Sequence, residues 1–247
     1  MKIKKILISQ PQPEGDRSPY ADLVKQFNLD LTFKNLIKIE RISAKEFRQQ
    51  RINIPDYTAL IFTSRHAVDH FFALAEDMRL QVSEQMKYFC TSETVALYLQ
   101  KYVHYRKRKI FFAKAQINEL IDLIKKHKDE KYIFICTENY QNDIPLILNN
   151  HKVTYVCAPI YRTVPEDLTG INISDYQMVV FFSPFGVDSI KKNFPDFNQG
   201  DQIFGAFGEG TAKTIINNGY KLHVMAPNEK FASMVPALQD FLLKNKK

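Results

Sequence analysis

The 247 residues are 45% hydrophobic and 25% charged, with a mean hydropathy of −0.29. No apolar run approaches the roughly 20 residues of a membrane span, which excludes a helical membrane protein. The net charge of +7 and isoelectric point near 9.1 favour an anionic partner without choosing among nucleic acid, lipid and polycarboxylate.

The chain opens basic, then apolar, over residues 1–8. The apolar part is too short for a secretory signal and runs into Gln10-Pro11-Gln12-Pro13, so a cytoplasmic protein is expected. Strands are predicted over 3–8, 59–63, 88–90, 110–112, 132–136, 154–160, 178–182, 203–207 and 222–225. Helical patterns lie between them: 67–75 with Val68, Phe71, Phe72 and Ala75 on one face, and 118–126 with Leu120, Ile121 and Ile124. Residues 31–42 and 153–163 read as long strands, candidates for crossings between domains. Strand, helix, strand implies parallel sheets covered by helices on both faces, with ligands just beyond the carboxyl ends of the strands. Cys90, Cys136 and Cys157 fall in apolar runs, far apart, and are expected in the core rather than in a zinc site or disulfide framework.

An internal repeat is the most informative feature. Tyr57-Thr-Ala-Leu-Ile-Phe-Thr-Ser64 with Val68 and Asp69 matches Tyr176-Gln-Met-Val-Val-Phe-Phe-Ser183 with Val187 and Asp188 at an offset of 119. Further on, Thr94 and Thr211 each start a helix after a strand. Two similar α/β halves follow. The first strand of a unit, Lys5-Ile-Leu-Ile, has its counterpart at Lys131-Tyr-Ile-Phe-Ile, so the halves are not simply head to tail. One reading inserts a domain at 39–160 into another built from 1–36 plus 164–247; the alternative is a plain split near residue 130.

Ser64 and Ser183 occupy helix N-cap positions, with Pro184 suited to the first turn. Capping alone would account for them, but a helix start at the carboxyl edge of a parallel sheet also presents free N–H groups to a carboxylate or phosphate. Gly205, Gly208 and Gly210 do not follow the dinucleotide order; they serve either tight strand–helix packing or close approach of a ligand. Tyr161 by itself reads as an amphipathic packing residue. The run Arg106-Lys-Arg-Lys109, beside Tyr102, His104 and Tyr105, reads as a solvated loop, with phosphate contacts as the alternative. His66 and His70 stand four apart on one helix with no third ligand evident, so no metal site is indicated. The residues alone thus reach a two-lobed α/β protein suited to a multiply anionic small molecule.

At Ile61-Phe-Thr63-Ser64 with Val68, Phe181-Phe-Ser183-Pro184 with Val187, Pro159-Ile-Tyr161-Arg162-Thr163, and Gly208-Glu-Gly210-Thr211-Ala212 followed by Gly219 and Ala226, the sequence resembles the uroporphyrinogen-III synthase family over nearly its whole length. The resemblance implies two similar parallel-sheet α/β domains joined by a two-stranded linker, with a cleft between them, which favours the inserted-domain reading. It also implies a cytoplasmic, monomeric lyase that uses no metal or organic cofactor. Its substrate would be hydroxymethylbilane, handed over by hydroxymethylbilane synthase, with no nucleic-acid or membrane partner. That substrate loses its terminal hydroxyl as water, inverts its last pyrrole ring through a spiro intermediate and closes to uroporphyrinogen III.

By the same resemblance Tyr161 is the catalytic candidate, helping the hydroxyl leave, and Thr63, Ser64, Thr94, Ser183, Pro184, Gly210 and Thr211 are substrate-binding candidates. The chain departs from the family pattern at Gln10, where a basic residue is usual, and at Thr91 and Asn150, where glycine is usual. A two-lobed binding or sensor protein for an anionic metabolite, without turnover, is the alternative; nucleic-acid binding through residues 106–109 is a third reading.

Overall fold

The structure is a computed structural model that describes residues 3–13, 18–114, 116–140 and 143–245. Met1 and Lys2, at the start of the basic opening stretch, lie outside the described residues. In chain order the first elements are β1 (Lys5–Ile8), α1 (Ala21–Phe27), β2 (Asp30–Phe33), β3 (Ile37–Arg41), α2 (Ala44–Gln49), β4 (Ala59–Phe62), α3 (Arg65–Asp77), β5 (Lys87–Cys90), α4 (Glu93–Tyr98) and β6 (Ile110–Phe112). There follow α5 (Ile117–Lys125), β7 (Tyr132–Thr137), α6 (Asp143–Asn150), β8 (Tyr155–Pro165), β9 (Met178–Phe181), α7 (Pro184–Asn193), β10 (Ile203–Phe207), α8 (Glu209–Asn217), β11 (Leu222–Ala226) and α9 (Met234–Lys244).

The chain divides into two compact units, one of residues 1–38 and 164–247, the other of residues 39–163. It passes between them inside β3 and β8, which are neighbours in the second unit's sheet. The region 31–42, expected as one long strand, is two: β2 pairs with β1 in the five-stranded sheet and β3 lies in the six-stranded one. The break falls at Leu36, which is 1% exposed in the first unit's core while its carbonyl accepts from the Glu166 N–H at 2.9 Å. Burying that side chain turns the strand out of its first sheet.

In the first unit the strand order is β11-β10-β9-β1-β2, with every neighbouring pair parallel. In the second it is β3-β8-β7-β4-β5-β6, and the five strands from β8 to β6 are parallel. Taking β7 as the counterpart of β1, both five-strand sets follow the doubly wound order 2-1-3-4-5, the second unit being circularly permuted. The strand order reverses beside β1 and β9 in one unit and beside β7 and β4 in the other, and such switch points are where doubly wound sheets bind ligands.

The central strands of both sheets are buried on both faces, as continuous apolar strands require. Ile6, Ile8 and Val180 pack under Leu23 and Leu238 on one face of the first sheet; Leu7, Phe181 and Phe204 pack under Val187 and Ile215 on the other. In the second unit Leu60, Phe62, Ile133 and Ile135 meet Val68 and Phe71, while Ile61, Phe89 and Phe134 meet Leu120 and Ile124. Truncating a fully buried ring such as Phe62 or Phe181 to alanine would cost about 3–5 kcal/mol. Cys90 and Cys136 are buried as expected, but Cys157 is only half-buried, because its side of β8 is incompletely covered.

Candidate active site

In the second unit β4 ends at Phe62, and Thr63 carries the chain to Ser64, the N-cap of α3. The Ser64 hydroxyl accepts from the Ala67 N–H at 3.1 Å. Thr63 is fixed through its carbonyl, which accepts from the Thr91 hydroxyl at 3.2 Å. The N–H groups of the first turn of α3 have no intrahelical partner, so this end of the sheet offers donors and a positive dipole end to an anion. Arg65 and His66 are exposed in that turn.

Tyr161 reaches the same place from β8 through an irregularity in the strand. Cys136 pairs with Pro159 but Thr137 pairs with Tyr161, so Ile160 is an extra residue in the ladder. The bulge leaves both Ile160 and Tyr161 packed against one core cluster, where strict alternation would send them to opposite faces. Tyr161 stacks on His70 of α3, ring centroids 5.0 Å apart and planes 25° from parallel, and its hydroxyl interacts with the Ser64 side chain. Burial raises the Tyr161 pKa, partly opposed by the Ser64 contact, so the group is a neutral hydrogen-bond donor at ordinary pH. Burial also holds the His70 pKa below its usual value, reinforced by His66 and Arg41. Arg162, next in sequence, is spent within the protein: it bridges Glu40 at 2.9 Å, Glu46 at 3.1 Å and Glu138 at 3.5 Å.

Thr94 does not cap its helix, contrary to the expectation. The cap is Ser92, whose hydroxyl accepts from the Val95 N–H at 3.4 Å, and Thr94 is the second residue of α4 and exposed. One residue, Thr91, separates β5 from this cap, so the helix starts two residues earlier than the threonine spacing implied.

The first unit repeats the arrangement. Ser183 caps α7 by accepting from the Gly186 N–H at 3.1 Å, and Pro184 is the first helical residue. Beside it, Ser9 at the end of β1 accepts from the Phe182 N–H at 2.9 Å. Gly208, at φ 85°, is the N-cap of α8, so Thr211 is the third helical residue rather than the cap; its side chain is 3% exposed. A methyl group at Gly210 would lie 3.6 Å from Pro184 Cγ, which puts the starts of α7 and α8 side by side. Ser183, Pro184, Gly210 and Thr211 thus surround one set of free backbone donors. In the second unit the structure joins Thr63, Ser64 and Tyr161; no hydrogen bond ties Thr94 to them among the described residues.

His70, Arg65 and Ser9 were not singled out for these places. The spacing of His66 and His70 was visible, but its meaning as an aromatic support for Tyr161 depends on which strand lies against α3. Gln10, where a basic contact was missing, is turned to structure: its side-chain amide donates to the Tyr20 hydroxyl at 3.1 Å.

The family model described as Uroporphyrinogen-III synthase HemD matches residues 18–236, most of the chain. The protein belongs to the uroporphyrinogen-III synthase family. This places it among enzymes of porphyrin and heme biosynthesis. Uroporphyrinogen-III synthetase from Helicobacter pylori aligns over 99% of this chain and 100% of its own, at 17% identity and TM-score 0.57. A mutant uroporphyrinogen III synthase from Thermus thermophilus aligns over 98% and 99%, at 12% identity and TM-score 0.50. At such identities the likeness speaks for the fold: two α/β domains along the whole chain. No curated protein sequence matches. Among the described residues no helix is long and apolar enough to cross a membrane.

Proposed function

We propose that this family member acts as a cyclising lyase on hydroxymethylbilane. The linear tetrapyrrole loses its terminal hydroxyl as water, its last ring is inverted through a spiro intermediate, and the macrocycle closes to uroporphyrinogen III. The observation that carries the reading is the protonated hydroxyl of Tyr161 beside Ser64 at the start of α3, in a chain of this family.

The carbon–oxygen bond that breaks needs a proton or a hydrogen bond on its departing oxygen, and Tyr161 is assigned that donation. His70, stacked on the ring, limits its rotation. The substrate carries carboxylates on every ring, and the free N–H groups after Ser64 and Thr63 take some of them, with Arg65 adding charge. In the first unit Ser183, Gly210 and Thr211 are assigned to carboxylate binding through backbone donors in the first turns of α7 and α8, and Pro184, which has no N–H, to packing beside them. Thr94, exposed in the first turn of α4, is assigned a peripheral contact. Because the linear substrate closes unaided to the wrong isomer, holding one folded conformation is the larger part of the task, and few side chains need move protons.

The test couples the purified protein to hydroxymethylbilane synthase, oxidises the product and separates the isomers by chromatography. Type III as the main product is expected; type I alone would overturn the assignment.

A further inference from the structure

The basic run of residues 106–109 takes no part in the site above. It forms the solvated loop expected of it at Arg106, Lys107 and Arg108, which are exposed, but Lys109 is only 8% exposed, and Arg106 and Lys109 line a cavity of about 420 Å³. The cavity lies where β5 and β6 begin, with Tyr88 and Ile110 in its wall. Ser64 follows the carboxyl end of the adjacent strand β4, so the cavity is at the opposite edge of the sheet from the candidate active site.

Three features of the lining call for an anion. Tyr88 is 4% exposed, and its hydroxyl has no hydrogen-bond partner among the described residues. Burial pushes its pKa up to about 12, which keeps the hydroxyl a donor. The Lys109 ammonium donates to the Glu84 carbonyl, which leaves further N–H donors and an uncompensated charge. Arg106 and His104 form no side-chain hydrogen bond or ion pair among the described residues. Lys101, by contrast, is already paired with Asp69 at 2.9 Å, and the Glu84 carboxylate lies on an exposed residue.

The Tyr88 hydroxyl and the Lys109 ammonium thus present unused donors to the cavity, with no carboxylate paired to Lys109 among the described residues, and one multivalent oxyanion can accept from both. Met86 and Ile110, both buried, give the cavity an apolar floor.

We propose that this cavity is a second ligand site, for a small phosphate monoester carrying a compact apolar body. A phosphate monoester is close to dianionic at neutral pH and has three acceptor oxygens. It matches Arg106, Lys109 and the Tyr88 hydroxyl better than a monoanionic carboxylate does, and its apolar part covers the floor.

The probe is phenyl phosphate, titrated calorimetrically into the full chain at low ionic strength, with inorganic phosphate and benzoate as comparisons. Saturable binding of phenyl phosphate is expected. Inorganic phosphate, without the ring, should bind about tenfold more weakly, and benzoate, with one charge fewer, several-fold more weakly. Arg106→Ala should weaken phenyl phosphate about tenfold. Tyr88→Phe, which keeps the ring packed against Phe62, should weaken it about threefold with an unchanged melting temperature. Ser64→Ala should leave it unaltered. The proposal fails if phenyl phosphate does not saturate, if either comparison ligand binds equally well, if both cavity variants bind as the parent does, or if Ser64→Ala abolishes binding.

Discussion

Ser64 and Ser183, 119 positions apart, cap their helices in the same geometry: each hydroxyl accepts the backbone N–H three residues on at 3.1 Å, from φ near −154° and −153°. The equivalence extends upstream. Asn53 donates to Asp56 and Asn172 to Asp175, both at 2.8 Å, in the turns that feed β4 and β9. The repeat is therefore structural before it is functional, and the two roles of the serines can be separated by experiment. Ser64→Ala and Ser183→Ala should each lower unfolding free energy by about 1 kcal/mol, and the glycine variants by a few tenths only. Urea denaturation of the four variants checks this. If the hydroxyls only cap, the glycine variants will also turn over normally.

Tyr161→Phe removes one hydroxyl and keeps the ring stacked on His70. The rate of type III formation should fall about tenfold or more, because the departing oxygen loses its proton donor, while the melting temperature stays close to that of the parent. Initial rates and a thermal melt on one preparation decide it.

Gly208 and Gly210 should behave oppositely. Gly208 has φ 85°, so Gly208→Ala is strained although nothing lies within 4 Å of the added methyl, and a loss of about 1 kcal/mol is expected. Gly210 sits inside α8 with room for a methyl at ordinary contact distance from Pro184. Gly210→Ala should therefore raise stability, by up to about 1 kcal/mol, through helix propensity. If the start of α8 receives a substrate carboxylate, the same methyl will raise KM. Denaturation curves and steady-state kinetics of the two variants give the comparison.

His70 links the site to pH. Its folded pKa lies below the ordinary 6.5, mainly through burial, so the unfolded chain takes up its proton first as pH falls. The stability that neutral His70 contributes is whole above about pH 6.5 and is lost progressively on acidification towards the folded pKa. His70→Phe keeps an aromatic partner for Tyr161 and cannot titrate. Its stability, followed by urea midpoints between about pH 7.5 and 5, should fall less steeply than that of the parent.

Much of this protein is legible in the amino-acid order. Apolar runs of four to six residues, the Tyr-to-Asp repeat and the serines at strand ends determine parallel sheets, the duplication and the anion-ready helix starts, since each rests on contacts within a few residues. Even the permuted order of the second unit is signalled by the likeness of Lys5-Ile-Leu-Ile to Lys131-Tyr-Ile-Phe-Ile.

What tertiary structure decided is where individual side chains point. Alternation along β8 would place Tyr161 opposite Ile160; the extra residue in the ladder, set by pairing with β7, turns it toward Ser64 and His70. The basic run is solvated at residues 106–108, as its charge implies, whereas the burial of Lys109 depends on Glu84, 25 residues away. Leu36 likewise ends one strand and frees the next because of a core assembled from distant segments. Period and propensity are local, so sequence carries them; register and burial are set by partners far along the chain, which only the folded molecule brings together.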